Sequence, residues 1–522
     1  MRKKTKKALS VIMAGALSLG VCIAQSGCSG EQYDPEAIQV LIAKLGYGTQ
    51  WAQNIAKAYE QKTGTKVQFT EAVGQQGNTS IKTQVESLAS NADVVFQQGS
   101  IWNKVYSGSV SVNGVKYDTL YADLSDMYQS EIEGENGATM LSKMDERAKD
   151  AFSLDGKFYS VPWAKNISGI VCNRTVWENL GMTDDDIPLT TNELFDVCDK
   201  IVAKNKKASP FIYCSADEYY TMFLPVWIAQ YEGYESMKWF MQGRGPENSS
   251  GEYIYTYDGQ KYALEVLQKL VTTPGYQNSA STSLDFTDMQ GYFLQGAAAF
   301  CVNGSWLEIE MSNYQNVDIK YIKTPVISAI VNKTPSVVKA AAAAGKTSDG
   351  VLADIIAEID AGKTSSEKYP AVTAEDFALI QEARGMQYSG TVSSFVGYIP
   401  SYSSKIDKAK DFLKFIYSDE GLNIYYETQK GARLPFTPVS GYKEIKKTDF
   451  RELINKAEDE DSVFYFEYSK TKLYAAADVS ATFANGSGNL VAALIGGATA
   501  DQILSTNTNN IQQRWSTIRQ YL

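Results

Sequence analysis

The 522-residue chain contains no histidine. That absence removes Ser-His-Asp and Cys-His catalysis and every zinc or iron site built on imidazole. Carboxylate-only chemistry, as in glycosidases, stays open. Cysteine is nearly as scarce. Beyond Cys22 and Cys28 near the N-terminus, only Cys172, Cys198, Cys214 and Cys301 remain. None stands in a CxxC pair, so zinc and redox motifs are unsupported and no disulfide framework is indicated. They read as buried thiols, with one bridge among them still open. No metal and no cofactor is expected. Past the first residues there is no uncharged apolar run long enough to span a membrane, so the rest reads as soluble.

What is present begins at the N-terminus. Arg2, Lys3, Lys4, Lys6 and Lys7 precede an uncharged stretch over 8–24. That stretch is too short for a comfortable span, which needs roughly 20 apolar residues. Ser26 and Gly27 then precede Cys28, the layout of a secretory signal. The segment also resembles a bacterial lipobox, in which the cysteine is lipidated and becomes the mature N-terminus. Gln25 stands where that pattern prefers Leu; Cys22 has Leu19 at the same offset, but Val21 directly before it. Residues 1–27 are therefore read as a signal peptide, Cys28 as the lipidation site and 28–36 as a tether. Without the five basic residues of the signal, 44 basic stand against 60 acidic residues, a net charge of −16. Such a balance argues against nucleic acid as a partner and suits an exported domain with a neutral ligand.

A chain of this length exceeds one compact core, so two lobes are expected. Residues 38–45 read as a buried strand, 46–49 as a turn and 51–63 as a helix stopped by Gly64. A strand at 66–70, a helix at 81–90 and a strand at 92–96 follow. This order implies a parallel sheet flanked by helices, with ligands at the carboxyl ends of its strands, near 47–51 and 97–102. Residues 327–387, which include an alanine-rich stretch after Pro335, read as an insertion on one lobe.

Several segments then fall into a recognisable order. Residues 155–163 read Asp-Gly-Lys-Phe-Tyr-Ser-Val-Pro-Trp, and Gly169 to Asn173 follow. Further pieces are Ala92-Asp93-Val94-Val95, Pro188-Leu189-Thr190-Thr191-Asn192-Glu193-Leu194, Phe293 to Ala299, Asn303-Gly304-Ser305-Trp306, Lys408 to Phe415, and Gly431 to Pro435. In this order the chain resembles the bacterial family 1 extracellular solute-binding proteins, the maltose-binding-like receptors of carbohydrate ABC importers. The resemblance implies an α/β fold of two discontinuous lobes joined by hinge crossings, with a ligand cleft between them. The crossings would lie near 163–169, 320–325 and 417–421. Lobe 1 would comprise 37–165 and 321–418, and lobe 2 166–320 and 419–522.

Tyr and Trp present a flat apolar face with a polar edge, which suits a sugar ring. The chain holds 33 Tyr and 8 Trp. Trp306, in the Gly-Ser-Trp loop, is expected to stack under a pyranose, and Trp163, at the crossover, to contact ligand. Trp51 and Tyr47 flank the first strand-to-helix turn, one of them in the cleft and the other packing, with Thr49 and Gln50 as donors to hydroxyls. Ser100 and Trp102 follow the third strand in the same way. Asp217, Tyr219 and Trp227 lie on or before an aromatic helix of lobe 2, where Asp217 either accepts from sugar hydroxyls or serves the helix N-terminus. Arg433 either reads a hydroxyl pair or holds its loop to a carboxylate. Ser394 and Phe395 lie where the chain returns to the cleft. The expected function is capture, without catalysis, of a carbohydrate and its delivery to the transmembrane subunits of an ABC permease. The protein would be a monomer, held at the extracellular face of the membrane by its lipid alone. A secreted glycoside hydrolase using two carboxylates and a binding lipoprotein for a non-sugar solute are the alternatives.

Overall fold

The apolar run Ile-Gln-Val-Leu-Ile-Ala of β1 (Ile38–Lys44) is almost wholly buried, as a central parallel strand must be when helices cover both of its faces. Its helix, Gln50–Thr63, buries Trp51, Ala52, Ile55, Ala56 and Tyr59 along one stripe. Gly64 ends it in the left-handed region at φ 74°, with its N–H on the Glu60 carbonyl. The remaining strands are β2 (Val67–Val73), β3 (Val94–Gln98), β4 (Val110–Val112), β5 (Val115–Tyr117), β6 (Ser153–Leu154), β7 (Lys157–Phe158), β8 (Val161–Pro162), β9 (Asn166–Asn173), β10 (Ser209–Ile212), β11 (Ala298–Gly304), β12 (Ile319–Ile322), β13 (Tyr388–Thr391), β14 (Phe395–Tyr398) and β15 (Val463–Tyr465).

The structure is a computed structural model that describes residues 33–204, 207–214, 219–312, 314, 317–386, 388–391, 394–459, 463–465, 471–476 and 490–521. The expected signal and Cys28 lie outside the described residues, as does Asp217. Residues 1–35 form one unit, of which 33–35 are described, and Glu36–Leu522 form the other.

Two sheets organise the second unit, and the fold is α/β with two lobes. The first sheet has the order β2-β1-β3-β14-β8. Its first three strands are parallel, and β14 runs against both β3 and β8. The second sheet has the order β10-β11-β9-β13-β15, with β12 also on β9. Strand β9 is its spine: it pairs β11 along one edge, while the other edge is shared by β13 at its start and β12 at its end. The chain thus passes from the first sheet to the second between β8 and β9.

Sequence reasoning set the later crossings too early. Residues 321–386 stay with the second lobe, because β12 pairs β9 and the helices after β12 pack on the same core. Thr191 and Ser328 bind each other reciprocally, Gln230 reaches both Ile327 and Met386, and Arg384 reaches the Thr324 carbonyl. The supposed insertion on lobe 1 is therefore helical cladding of lobe 2. The return crossing lies between β13 and β14. The helix Asp419–Thr428, expected to open the last part of lobe 2, packs instead on Gln50–Thr63 of lobe 1. Phe436 still bridges Met144 in that lobe, so the third crossing falls between it and the helix Asp449–Asp459, which packs on β12. Among the described residues no helix is long and apolar enough to cross a membrane.

Candidate functional site

The carboxyl ends of β1 and β3, the crossing at residues 163–165 and the loop after β11 converge at the meeting of the two sheets. An aromatic cluster fills this junction. Trp163 and Trp51 stack with centroids 5.9 Å apart and planes 14° apart. Phe395 meets Trp163 edge-on at 5.0 Å, and Tyr47 meets Phe395 at 5.7 Å. Phe96 and Tyr425 each meet Trp51 in T-shaped contacts at 5.4 Å. Trp51 and Trp163 are 0% exposed, and Tyr47 and Phe395 are 5% exposed. The Trp163 indole Nε1 donates to the Gln97 carbonyl at 3.0 Å, and the Tyr425 hydroxyl donates to the Trp163 carbonyl at 3.2 Å. Both faces of each tryptophan are thus covered by protein. Sequence reasoning expected ligand contact at Trp163, at Phe395 and at one of Trp51 and Tyr47; in this structure all four pack the joint between the lobes. The Tyr47 hydroxyl donates to Asn166 Oδ1 at the start of β9 and is kept protonated by its burial.

Two further tryptophans are also core residues. Trp102 is buried beside β3, its backbone N–H on Ser100 Oγ at 3.3 Å, and Ser100 itself is half-buried. Trp227 stacks on Phe223 at 4.7 Å and donates to the Pro325 carbonyl at 3.3 Å, deep in lobe 2. Arg433 takes the second of its two readings. It donates to Glu458 at 3.2 Å, Asp459 at 2.8 Å and the Asn455 carbonyl at 2.7 Å. Thr49 gives its hydroxyl to Glu71, which also holds Lys44 and Gln53. Partial burial works against ionisation of Glu71, but these three partners outweigh it and hold the carboxyl below its ordinary value. Gln50 is exposed, and the half-buried Ser394 accepts the Gly99 N–H on its carbonyl at 2.6 Å.

Trp306 sits differently. Its ring folds back over Gly304, where an added Cβ would fall 2.2 Å from it, so the Gly-Ser-Trp loop is shaped by that close approach. Tyr219 meets Trp306 edge-on at 6.2 Å, and Phe286 stacks on Tyr219 at 6.4 Å with planes 14° apart. Trp306 keeps 7% of its surface exposed, while Tyr219 and Phe286 are half-buried. Phe286 begins the helix Phe286–Leu294 and was missed by sequence reasoning, since nothing local marks it.

Charged side chains tie this region to the hinge. Lys165, in the first crossing, pairs with Glu458 at 3.0 Å, and the two side chains are 7% and 3% exposed. Arg451 donates to the Ser305 carbonyl at 2.7 Å and lies 3.4 Å from Glu308, which also accepts from Thr448. Among the described residues no group of His, Cys, Asp and Glu is placed to hold a metal ion, and the four cysteines present are all buried and unbridged.

Comparison with known proteins agrees with this architecture. The profile of the bacterial extracellular solute-binding proteins matches residues 44–422. The diacetylchitobiose-binding protein DasA of Streptomyces coelicolor is 24% identical over 223 residues, a match that covers 42% of this chain and 47% of that relative. RafE of Streptococcus pneumoniae, in its ligand-free form, superimposes with a TM-score of 0.57 at 15% identity, over 92% of this chain and 98% of the other. The substrate-binding protein Lmo0181 of Listeria monocytogenes, solved in complex with cycloalternan, gives 0.57 at 16% identity over 92% and 99%.

Proposed function

The chain belongs to the bacterial extracellular solute-binding proteins, and from that premise we propose that it captures an oligosaccharide between its lobes and delivers it to the membrane subunits of an ABC importer. Among the relatives, DasA is named for diacetylchitobiose binding and Lmo0181 was solved with cycloalternan. The observation that carries the reading here is the aromatic surface of Trp306, Tyr219 and Phe286 beside the joint between the lobes. Tyr219 and Phe286 are half-buried and Trp306 keeps a small exposed part, and aromatic faces of this kind match the C–H face of a pyranose. Gln50 and Ser100 supply hydrogen-bonding groups on the opposite lobe. In the same reading the chain acts as a monomer without catalysis, and lipid on Cys28 holds it at the outer face of the cell membrane.

The test is a thermal-shift and calorimetric screen with diacetylchitobiose, raffinose, xylo-oligosaccharides and cycloalternan. A ligand that binds only the folded state raises its apparent stability, by about 2.7 kcal/mol at a hundredfold excess over Kd. Phe286→Ala is expected to weaken binding of the responding sugar by about 1–3 kcal/mol, the scale of a lost aromatic contact. Unchanged affinity in both Phe286→Ala and Trp306→Ala would put the site elsewhere. Release of new reducing ends, abolished by a single Asp or Glu substitution, would replace capture with hydrolysis.

A further inference from the structure

Glu310 and Gly46 meet across the two lobes. Glu310 ends the helix Leu307–Glu310, which follows the Gly304–Ser305–Trp306 loop of lobe 2. Gly46 lies in the turn that leaves β1 of lobe 1. A Cβ built on Gly46 would fall 1.8 Å from Glu310 Oε1, so the carboxyl rests on bare backbone and no larger residue leaves room for it. Gly46 does not lie in the left-handed region, so the requirement is for space and not for backbone freedom. The other carboxyl oxygen accepts from Gln290 Nε2 at 2.7 Å.

The surroundings of this carboxyl hold little charge. From lobe 1 the Tyr47 phenol faces it, neutral and itself buried. From the helix Phe286–Leu294 it meets the Gln290 amide, while Asp288 and Tyr292 of that helix are exposed. Glu308 on its own helix is engaged by Arg451 and Thr448, and Glu71 beyond the turn by Lys44, Thr49 and Gln53. A half-buried carboxyl that accepts its hydrogen bond from a neutral amide favours its protonated form more than a solvated one does.

We propose that Glu310 seated on Gly46 is a proton-dependent latch between the lobes: the neutral carboxyl holds them together and its ionisation releases them. The latch rests on the reading of this protein as a hinged capture receptor. Its sign follows from linkage. Burial pushes the Glu310 carboxyl from 4.5 up to about 7; exposed in an open form, it would ionise in the ordinary range. Closure therefore takes up a proton between these values. The closed form is favoured below the ordinary carboxylate range and loses that advantage as pH rises through about 7. Tenfold per pKa unit caps the change in the closed-to-open ratio at about 300-fold.

Hydrogen-exchange mass spectrometry of the full chain in detergent, without added sugar, tests the latch. The peptides to follow cover residues 45–50 and 305–312, compared at pH 5.5 and 8.5 after correction for intrinsic exchange. Wild type is expected to lose protection in both peptides at pH 8.5. Glu310→Gln, a neutral isostere, should keep its protection at both pH values. Gly46→Ala, which fills the seat, should lose it at both. A flat wild-type profile, or the same pH dependence in Glu310→Gln, overturns the latch. Binding of diacetylchitobiose, raffinose, xylo-oligosaccharides and cycloalternan to the same preparations separates the two readings. If none binds, the carbohydrate assignment falls, while the exchange profile still decides the latch.

Discussion

Trp163→Ala separates the two roles open to this tryptophan. Its side chain is wholly buried, stacked on Trp51 at 5.9 Å and capped edge-on by Phe395 at 5.0 Å. Truncation removes most of an indole from a packed core and leaves a cavity that the surrounding rings cannot fill, which costs about 3–5 kcal/mol for aromatic-to-Ala changes. It also strips the Gln97 carbonyl of the 3.0 Å indole donor, and an acceptor left without that partner in a dry site costs about 1–3 kcal/mol. Trp163→Phe keeps most of the apolar volume and loses chiefly the donor, so its cost falls at about that lower figure. The assay is urea denaturation followed by far-UV circular dichroism, paired with calorimetry of whichever sugar responds in the screen. Both variants should lose stability in this order, while Trp163→Phe, once folded, binds with the affinity of wild type. A stability loss below about 1 kcal/mol together with lost binding would refute the reasoning, because it would mean that the ring has a face free for ligand.

Three further outcomes follow from other parts of the molecule. Glu458→Gln leaves Lys165, 7% exposed, without its counter-charge; breaking a buried pair costs about 3–5 kcal/mol, read by the same denaturation, and Lys165→Met in the Glu458→Gln background should recover part of it. The four thiols described are buried, and burial pushes Cys172 up to about 12; a thiol reagent should leave them unmodified in the native chain at pH 8 and reach them only in denaturant. Cys28→Ala should abolish incorporation of labelled fatty acid and release the chain from cells, whereas Cys22→Ala should leave both unchanged; the reverse result would move the anchor to Cys22.

How far the sequence was readable depended on the range of the contacts involved. The continuous apolar run of β1, the Trp51–Ile55–Tyr59 stripe and the Gly64 stop are local patterns, and they gave the first strand and helix to within a residue or two. The helix after β2 was read to start at Ile81. It starts at Gly74, and Gly77 in its first turn packs so closely on Ala72 that a Cβ would fall 2.5 Å from its carbonyl carbon. No apolar period marks that first turn. The side of the molecule on which 321–386 lie depended on β12 and β13 sharing one edge of β9, a pairing that spacing along the chain does not disclose. The same limit governs the site. Trp163 and Trp306 look alike in sequence, each beside small or rigid residues. Trp163 is sealed by Trp51 and Phe395, which are remote in the chain, while Trp306 keeps 7% of its surface exposed beside the half-buried Tyr219. Glu310 was overlooked because the glycine that seats it lies far from it along the chain.

The joint itself explains how a capture protein of this build could move without loosening. Lys165 belongs to the first crossing, Arg433 stands just before the third, and both hold Glu458 of the helix Asp449–Asp459. Asn455 of that helix accepts from Arg433 on its carbonyl and donates to the Gly431 carbonyl at 3.1 Å. Two crossings are thus clamped to one rigid element by contacts shielded from water, where an ion pair resists separation most strongly. Among the described residues the lobes are also bridged by the Tyr47 hydroxyl on Asn166, by Glu310 on Gly46, and by the helix Trp102–Tyr106 against the helix Lys472–Ala476. Opening would then rotate the lobes about a joint that the Glu458 ion pairs hold together. Bound sugar can favour the closed form only by its differential affinity for it. Ionised Glu310, by disfavouring closure, would raise the differential affinity that the sugar has to supply.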